Sequence, residues 1–255
     1  MRGGLGALLL ALALIWAGPA PAAPFSDWAA VVVAGDWKGS EGGPTEAFDN
    51  ARRDVARALV RAGFEPARIG QFSVRPGRYA DTRPQPSEPR RIYETLSELS
   101  AAGAEGCLFY VSSHGLPQGV VIGERIVPPP VMASMLDRAC GKKPTVVVIS
   151  ACFSGVFVPH LAAPNRMILT AARRDRTSFG CGEADRYPYF DECFLQSIDR
   201  SAGFPALATA VRRCVAEREV KEGASPPSEP QVFVGAELSP VLPLLSFAAP
   251  AGRDN

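Results

Sequence analysis

Two short segments of the chain share one grammar: an apolar run, then a turn of small residues bearing a single reactive side chain. The first reads Leu108-Phe-Tyr-Val-Ser-Ser-His114-Gly115 and the second Val146-Val-Val-Ile-Ser-Ala-Cys152-Phe-Ser-Gly155. A thiol and an imidazole delivered to one edge of a rigid sheet form a nucleophile with a proton acceptor beside it. In that arrangement His114 helps hold Cys152 as thiolate, or takes its proton as attack begins, and then returns a proton to a leaving amine. Each turn also contains glycine, which lets backbone N–H groups come close to a reacting carbonyl. The N–H groups of Gly115 and Cys152 are therefore the candidate oxyanion donors, one such donor being worth about 3 kcal/mol of barrier.

Competing assignments use nearby residues. His160, after Pro159, is the other histidine of the chain, and a swap would make it the base and His114 structural. Ser154 lies in the frame Cys152-x-Ser154-Gly155, which does not fit the Gly-x-Ser-x-Gly elbow of serine hydrolases. Asp49 and Asn50 are candidates to orient the imidazole as a third member; the alternative is that they cap or solvate the start of a helix.

The elements that must position these side chains follow from the pattern of apolar residues. Runs at 29–34, 69–74, 106–111, 145–150, 167–171 and 231–236 predict strands, with a short extra strand at 120–122. The runs are continuous and β-branched where a strand is covered on both faces. Helical periodicity marks 45–62 (Phe48, Ala51, Val55 and Leu59 on one face), 90–102, 128–140, 190–198 and 206–220. The segment 75–89, with four prolines and a glycine, predicts a surface loop. Strands alternating with helices mean βαβ units and a mostly parallel sheet covered on both faces, with a site beyond the carboxyl ends of the strands.

The two blocks together resemble the caspase-like clan of cysteine peptidases, and within it the legumain family, whose members carry a hydrophobic block ending in His-Gly and a second ending in Ala-Cys. Here these are Ser113-His114-Gly115 and Ser150-Ala151-Cys152. Leu169-Thr-Ala-Ala172 with Thr177-Ser-Phe-Gly-Cys181 is similar to the segment that walls the family's specificity pocket, and Gln231-Val-Phe-Val-Gly235 to its closing strand. The resemblance implies an α/β fold, a three-layer α/β/α sandwich around about six strands. It implies an extracytoplasmic peptidase working through an acyl-thioester on Cys152, on peptide or protein substrates and without a metal or organic cofactor. It equally allows a transpeptidase or transamidase using the same acyl-enzyme, or a binding protein that kept the fold. It places Thr177, Ser178, Asp191 and Ser150 in the specificity pocket. Ser150 stands where the family usually has an acidic residue. The family's first-helix arginine falls on Asn50 or Arg52, depending on where a gap is placed.

Composition agrees with one globular catalytic domain. Hydrophobic residues make up 47% and the formal net charge is +1, which excludes a disordered chain and leaves no basic stripe for nucleic acid. Residues 1–22 read as a signal peptide: Arg2, an apolar run to Trp16, and Ala20-x-Ala22 before the cut. Cleavage is expected after Ala22, with Ala23 the second choice, and the domain as 23–255. Left uncut, the run would be an anchor; after cleavage no segment is apolar enough to span a bilayer. The chain has six cysteines. Cys107, inside an apolar run, is expected to be core, and Cys181, Cys193 and Cys214 to be the bridge-formers. No C-x-x-C occurs and only two histidines are present, so no zinc site is expected.

Overall fold

The structure, a computed structural model, describes residues 23–248. Residues 1–22, where the sequence suggests a signal peptide, and residues 249–255 lie outside the described residues. In chain order the elements are β1 (Trp28–Ala34), α1 (Ala47–Arg61), β2 (Ile69–Ser73), β3 (Gln85–Pro86), α2 (Pro89–Ala101), β4 (Gly106–Ser112), β5 (Gly115–Leu116), β6 (Gly119–Ile122), β7 (Arg125–Val127), α3 (Pro129–Cys140), β8 (Thr145–Ser150), α4 (Val158–Leu161), β9 (Arg166–Thr170), α5 (Tyr189–Ile198), α6 (Phe204–Glu222) and β10 (Gln231–Val234).

Every residue of β1, β4 and β8 is buried, the continuous apolar signature of strands covered on both faces. Alternate residues serve opposite layers. Ala30, Val32, Leu108, Tyr110, Val146 and Val148 meet α1, α5 and α6 through Val55, Leu59, Phe194, Leu207 and Val211. Their neighbours Val31, Val33, Phe109, Val111, Val147 and Ile149 meet α2, α3 and α4 through Ile92, Leu96, Met132, Leu136 and Leu161. Burying one such aliphatic or aromatic side chain favours folding by about 1.5–3 kcal/mol, so the two cores hold the three layers together.

Among the described residues the main sheet has seven strands in the order β10-β9-β8-β4-β1-β2-β3, and β5-β6-β7 form a small second sheet. The main sheet is parallel except for β10, which runs antiparallel to β9. From β1 the chain moves outward to β2 and β3, then returns to lay β4 on the other side of β1 and continues to β8 and β9. The carboxyl ends of β1 and β4 thus flank a topological switch point, where α/β sheets open a crevice.

Three details differ from the sequence reading. The proline-rich stretch 75–89 contributes β3, whose Gln85 and Pro86 pair with Phe72 and Ser73, so the sheet gains a seventh, edge strand. Proline is acceptable there because an edge strand can spare the N–H. The short strand foreseen at 120–122 is the middle of a three-stranded meander whose flanking pieces are too short to show a period. The cysteines pair as Cys107–Cys140 and Cys193–Cys214, leaving Cys152 and Cys181 free. Cys107 was expected to be unpaired core and Cys181 a bridge-former. Cys107 is indeed buried, but it faces the layer in which α3 ends at Cys140, a coincidence of faces that only the packed layers create. Each helical layer therefore carries one covalent staple.

Candidate active site

β4 and β8 are adjacent and parallel, with Ser112 in register with Ser150. The ladder runs one step further, Ser113 N–H donating to the Ser150 carbonyl at 3.0 Å. His114 and Cys152, each two residues past a paired serine, therefore leave the sheet side by side. Gly115 explains the glycine after the histidine: a Cβ there would lie 2.0 Å from the Cys152 carbonyl oxygen. The close approach expected for a substrate is made by the backbone of the Cys152 turn itself. Behind Cys152, Phe153 has φ 56°, a left-handed conformation that costs a bulky residue about 1–3 kcal/mol. Its N–H donates to the Arg176 carbonyl at 2.8 Å, which helps hold this sharp turn between β8 and the following helical turns.

His114 is oriented by backbone. Its Nε2 lies 2.8 Å from the Lys38 carbonyl oxygen. A carbonyl only accepts, so Nε2 carries the proton, and in the neutral ring Nδ1 is left as the basic nitrogen. The ring also meets Phe48 of α1 edge to face, centroids 5.1 Å apart. The loop holding Lys38 is itself ordered: Asp36 Oδ1 accepts the N–H groups of Trp37 at 2.7 Å and Lys38 at 3.1 Å. Cys152 Sγ is half-buried against Ser178, which offers its N–H at 3.3 Å and its carbonyl and hydroxyl oxygens at 3.6 and 3.7 Å.

Glu183 joins the two loops. Its Oε1 accepts N–H groups of Glu41 at 3.2 Å and Gly43 at 3.0 Å. Ser40 N–H reaches the Cys181 carbonyl at 2.9 Å and the Thr45 hydroxyl reaches the Gly182 carbonyl at 3.0 Å. The loop that orients His114 and the loop that touches Cys152 thus form one wall. Cys181 lies in this wall, and its thiol is pushed up to about 11, first by burial and then by the charge of nearby Cys152.

Beneath the pair, Asp191 of α5 is fully buried. One carboxylate oxygen accepts the Tyr110 hydroxyl; the other accepts Ser112 Oγ at 2.9 Å and Ser150 Oγ at 2.6 Å. Burial pushes its carboxyl up to about 6, against the hydrogen bonds from Ser150, Tyr110 and Ser112.

Several expected site residues sit elsewhere. Asp49 accepts from Arg52 Nε at 2.9 Å and from Ser73 at 3.0 Å, and Asn50 donates to the Arg186 carbonyl at 3.2 Å. Among the hydrogen bonds of the described residues neither reaches His114; α1 supports the ring through the neighbouring Phe48. Arg52 is fully buried among Asp49, Gln71, Thr82 and Tyr79. Ser150 and Asp191 are likewise buried under the site. Of the expected pocket residues only Thr177 and Ser178 reach the surface beside Cys152. The reason is common to Asp49, Arg52, Ser150 and Asp191: a helix face or strand end can turn a polar side chain inward when a hydrogen-bond partner is packed there. His160 is exposed on α4, and Ser154 is buried, its hydroxyl accepting the Ala172 N–H at 3.1 Å. The Lys38 carbonyl was missed because backbone acceptors leave no mark on residue type.

Comparisons with known proteins agree with this geometry. The model of the "Peptidase C13 family" matches residues 100–231, just over half of the chain, and spans both His114 and Cys152. A search of curated proteins found no match. Among solved structures, caspase-1 from Spodoptera frugiperda superposes with a TM-score of 0.58 at 13% identity, covering 83% of this chain and 90% of that one. The protein GSU0716 from Geobacter sulfurreducens superposes with a TM-score of 0.57 at 10% identity, covering 82% of this chain and 94% of that one. At such identities these two show the fold, a caspase-like sandwich. With the family match covering the two blocks that carry thiol and imidazole, the chain belongs to the peptidase C13 (legumain) family and is a cysteine-type peptidase acting on peptide or protein substrates.

Proposed function

We propose that Cys152 is the nucleophile and His114 the general acid and base of an extracytoplasmic endopeptidase. The observation that carries this assignment is the bond between His114 Nε2 and the Lys38 carbonyl, which leaves Nδ1 as the ring's acceptor on a strand end adjacent to that of Cys152. Nδ1 takes the Sγ proton as sulfur attacks the scissile carbonyl carbon. The oxyanion that forms is held by the N–H groups of Gly115 and Cys152. The C–N bond then breaks, and the imidazolium gives its proton to the departing amine. Water attacks the resulting thioester, giving a proton to Nδ1, and the thiol is regenerated as the acid product leaves. The location outside the cytoplasm is supported by two disulfides among the described residues, since such bonds persist in oxidising compartments.

Cleavage of a diverse peptide library by the purified protein, with Cys152→Ala and His114→Ala beside it, tests the assignment. Cuts by the wild type that each substitution lowers by about a thousandfold or more are expected for a nucleophile and its base. Retained activity in either variant would reassign the role, and the residue before each cut reads out the pocket.

A further inference from the structure

Asp191 is fully buried, and a carboxylate with no surface cannot touch a substrate. Among the described residues the three side chains that donate to it are hydroxyls, and two of them belong to Ser112 and Ser150. These serines face each other across β4 and β8, and each stands two residues before a reactive side chain. We propose that Asp191 is a positioning residue: by accepting hydrogen bonds from both Ser112 and Ser150 it ties the two strand ends together and so sets the spacing of His114 and Cys152. The inference rests on the assignment of those two residues as the catalytic pair.

The surroundings support a clamp over an ion pair. On the elements packed around α5 the charged groups have other partners: Asp54 of α1 takes the Tyr187 hydroxyl and Arg53, Arg61 pairs with Asp199, and Arg218 of α6 pairs with Glu192. Tyr110 on β4 is the titratable side chain that faces the carboxylate, and burial and Asp191 both push its hydroxyl pKa upward, so it stays a donor. The clamp is anchored in turn. Cys193, two residues along α5, is bonded to Cys214 on α6, which holds the helix that presents Asp191. A carboxylate accepts all three hydroxyl bonds at once, whereas an amide in its place must turn one donor group toward them.

The test is the rate of alkylation of Cys152 by iodoacetamide at pH 7.5, above the value of about 6 to which the Asp191 carboxyl is raised, followed by peptide mapping, in the wild type and in Ser112→Ala, Ser150→Ala, Asp191→Asn and His114→Ala. Loss of the clamp is expected to slow alkylation about tenfold in Ser150→Ala and in Asp191→Asn, a 1 Å misplacement being able to cost more than that. The sign separates positioning from charge. Removing a negative charge favours the thiolate and would speed the reaction in Asp191→Asn while leaving Ser150→Ala unchanged, and that result overturns the proposal. Thermal melts confirm folding; should Asp191→Asn not fold, the two serine variants, which change no charge, carry the test. With a cleavable peptide the same variants should lose kcat about tenfold at unchanged KM and with the same cleavage preference. A shifted KM or preference at unchanged kcat would return Asp191 to the specificity pocket and sink the clamp. A slowed His114→Ala beside wild-type rates in the Ser150 and Asp191 variants removes the clamp alone, whereas an unslowed His114→Ala removes the catalytic pair and the clamp with it.

Discussion

Below the edge that carries His114 and Cys152, β4 and β8 are held by a buried carboxylate and three hydroxyls. Above it, the loops at 35–45 and 177–185 are held by Glu183, a half-buried carboxylate that accepts two backbone N–H groups. Both devices use one carboxylate to join two segments, but they differ in where water can go. In the floor, an unmade bond leaves a polar group with no alternative partner, so the cluster is stiff and its loss costly. In the wall, water can replace each lost bond, so an unmade bond there costs less. The floor is therefore the stiffer of the two.

The comparison can be broken most sharply at the covalent staple under the floor. Replacing Cys193 and Cys214 by serine opens a link of sequence separation 21, and loop entropy sets the expected loss of stability at about 3.3 kcal/mol. A denaturant midpoint measures it. If that loss is absent, α5 is held by packing alone and the floor owes nothing to the staple.

The next effect is a pH dependence. Asp191 is raised from the ordinary 3.8 to about 6 by burial. Its contribution is thus fully present below the unfolded value and is lost as pH rises through about 6, because ionising it in place is harder than in the unfolded chain. The shift corresponds to at most about 3 kcal/mol between the two limits. Asp191→Asn should flatten the stability profile between pH 4 and pH 7 by up to that amount. A variant profile parallel to the wild type would mean that the carboxylate titrates normally and the floor is wetter than its geometry indicates.

The smallest expected effect lies in the wall. Glu183→Ala removes the acceptor of the Glu41 and Gly43 N–H groups, whose place water can take, so stability should change by about 1 kcal/mol. Activity should fall severalfold through KM, because the loop supporting Lys38 and the loop bearing Ser178 would no longer be drawn together. A fall in kcat alone would show that the wall, like the floor, sets the distance between thiol and imidazole.

Much of this was legible in the residues before any coordinates. The apolar β-branched runs of β1, β4 and β8 announce strands covered on both faces, and the small-residue turns after two of them announce reactive side chains at one sheet edge. Those are local properties: strand propensity, period and turn chemistry are written in neighbouring residues. The partners of the reactive groups were not legible. The Lys38 carbonyl is invisible to residue type, and Phe48 reads as core because its periodicity is that of core. Arg52, Ser150 and Asp191 read as pocket residues, yet the packed layers turn them inward onto Asp49, Asp191 and the strand-end hydroxyls respectively. Cys107 and Cys140 become neighbours only once β4 and α3 share a layer. The sequence alone determined the fold class and the two residues that leave the sheet with a thiol and an imidazole. The tertiary structure alone decided what orients them, which carboxylate is buried beneath them and which cysteines remain free. These are contacts between segments far apart in the chain, and their energy comes from burial and hydrogen-bond geometry that no local pattern encodes.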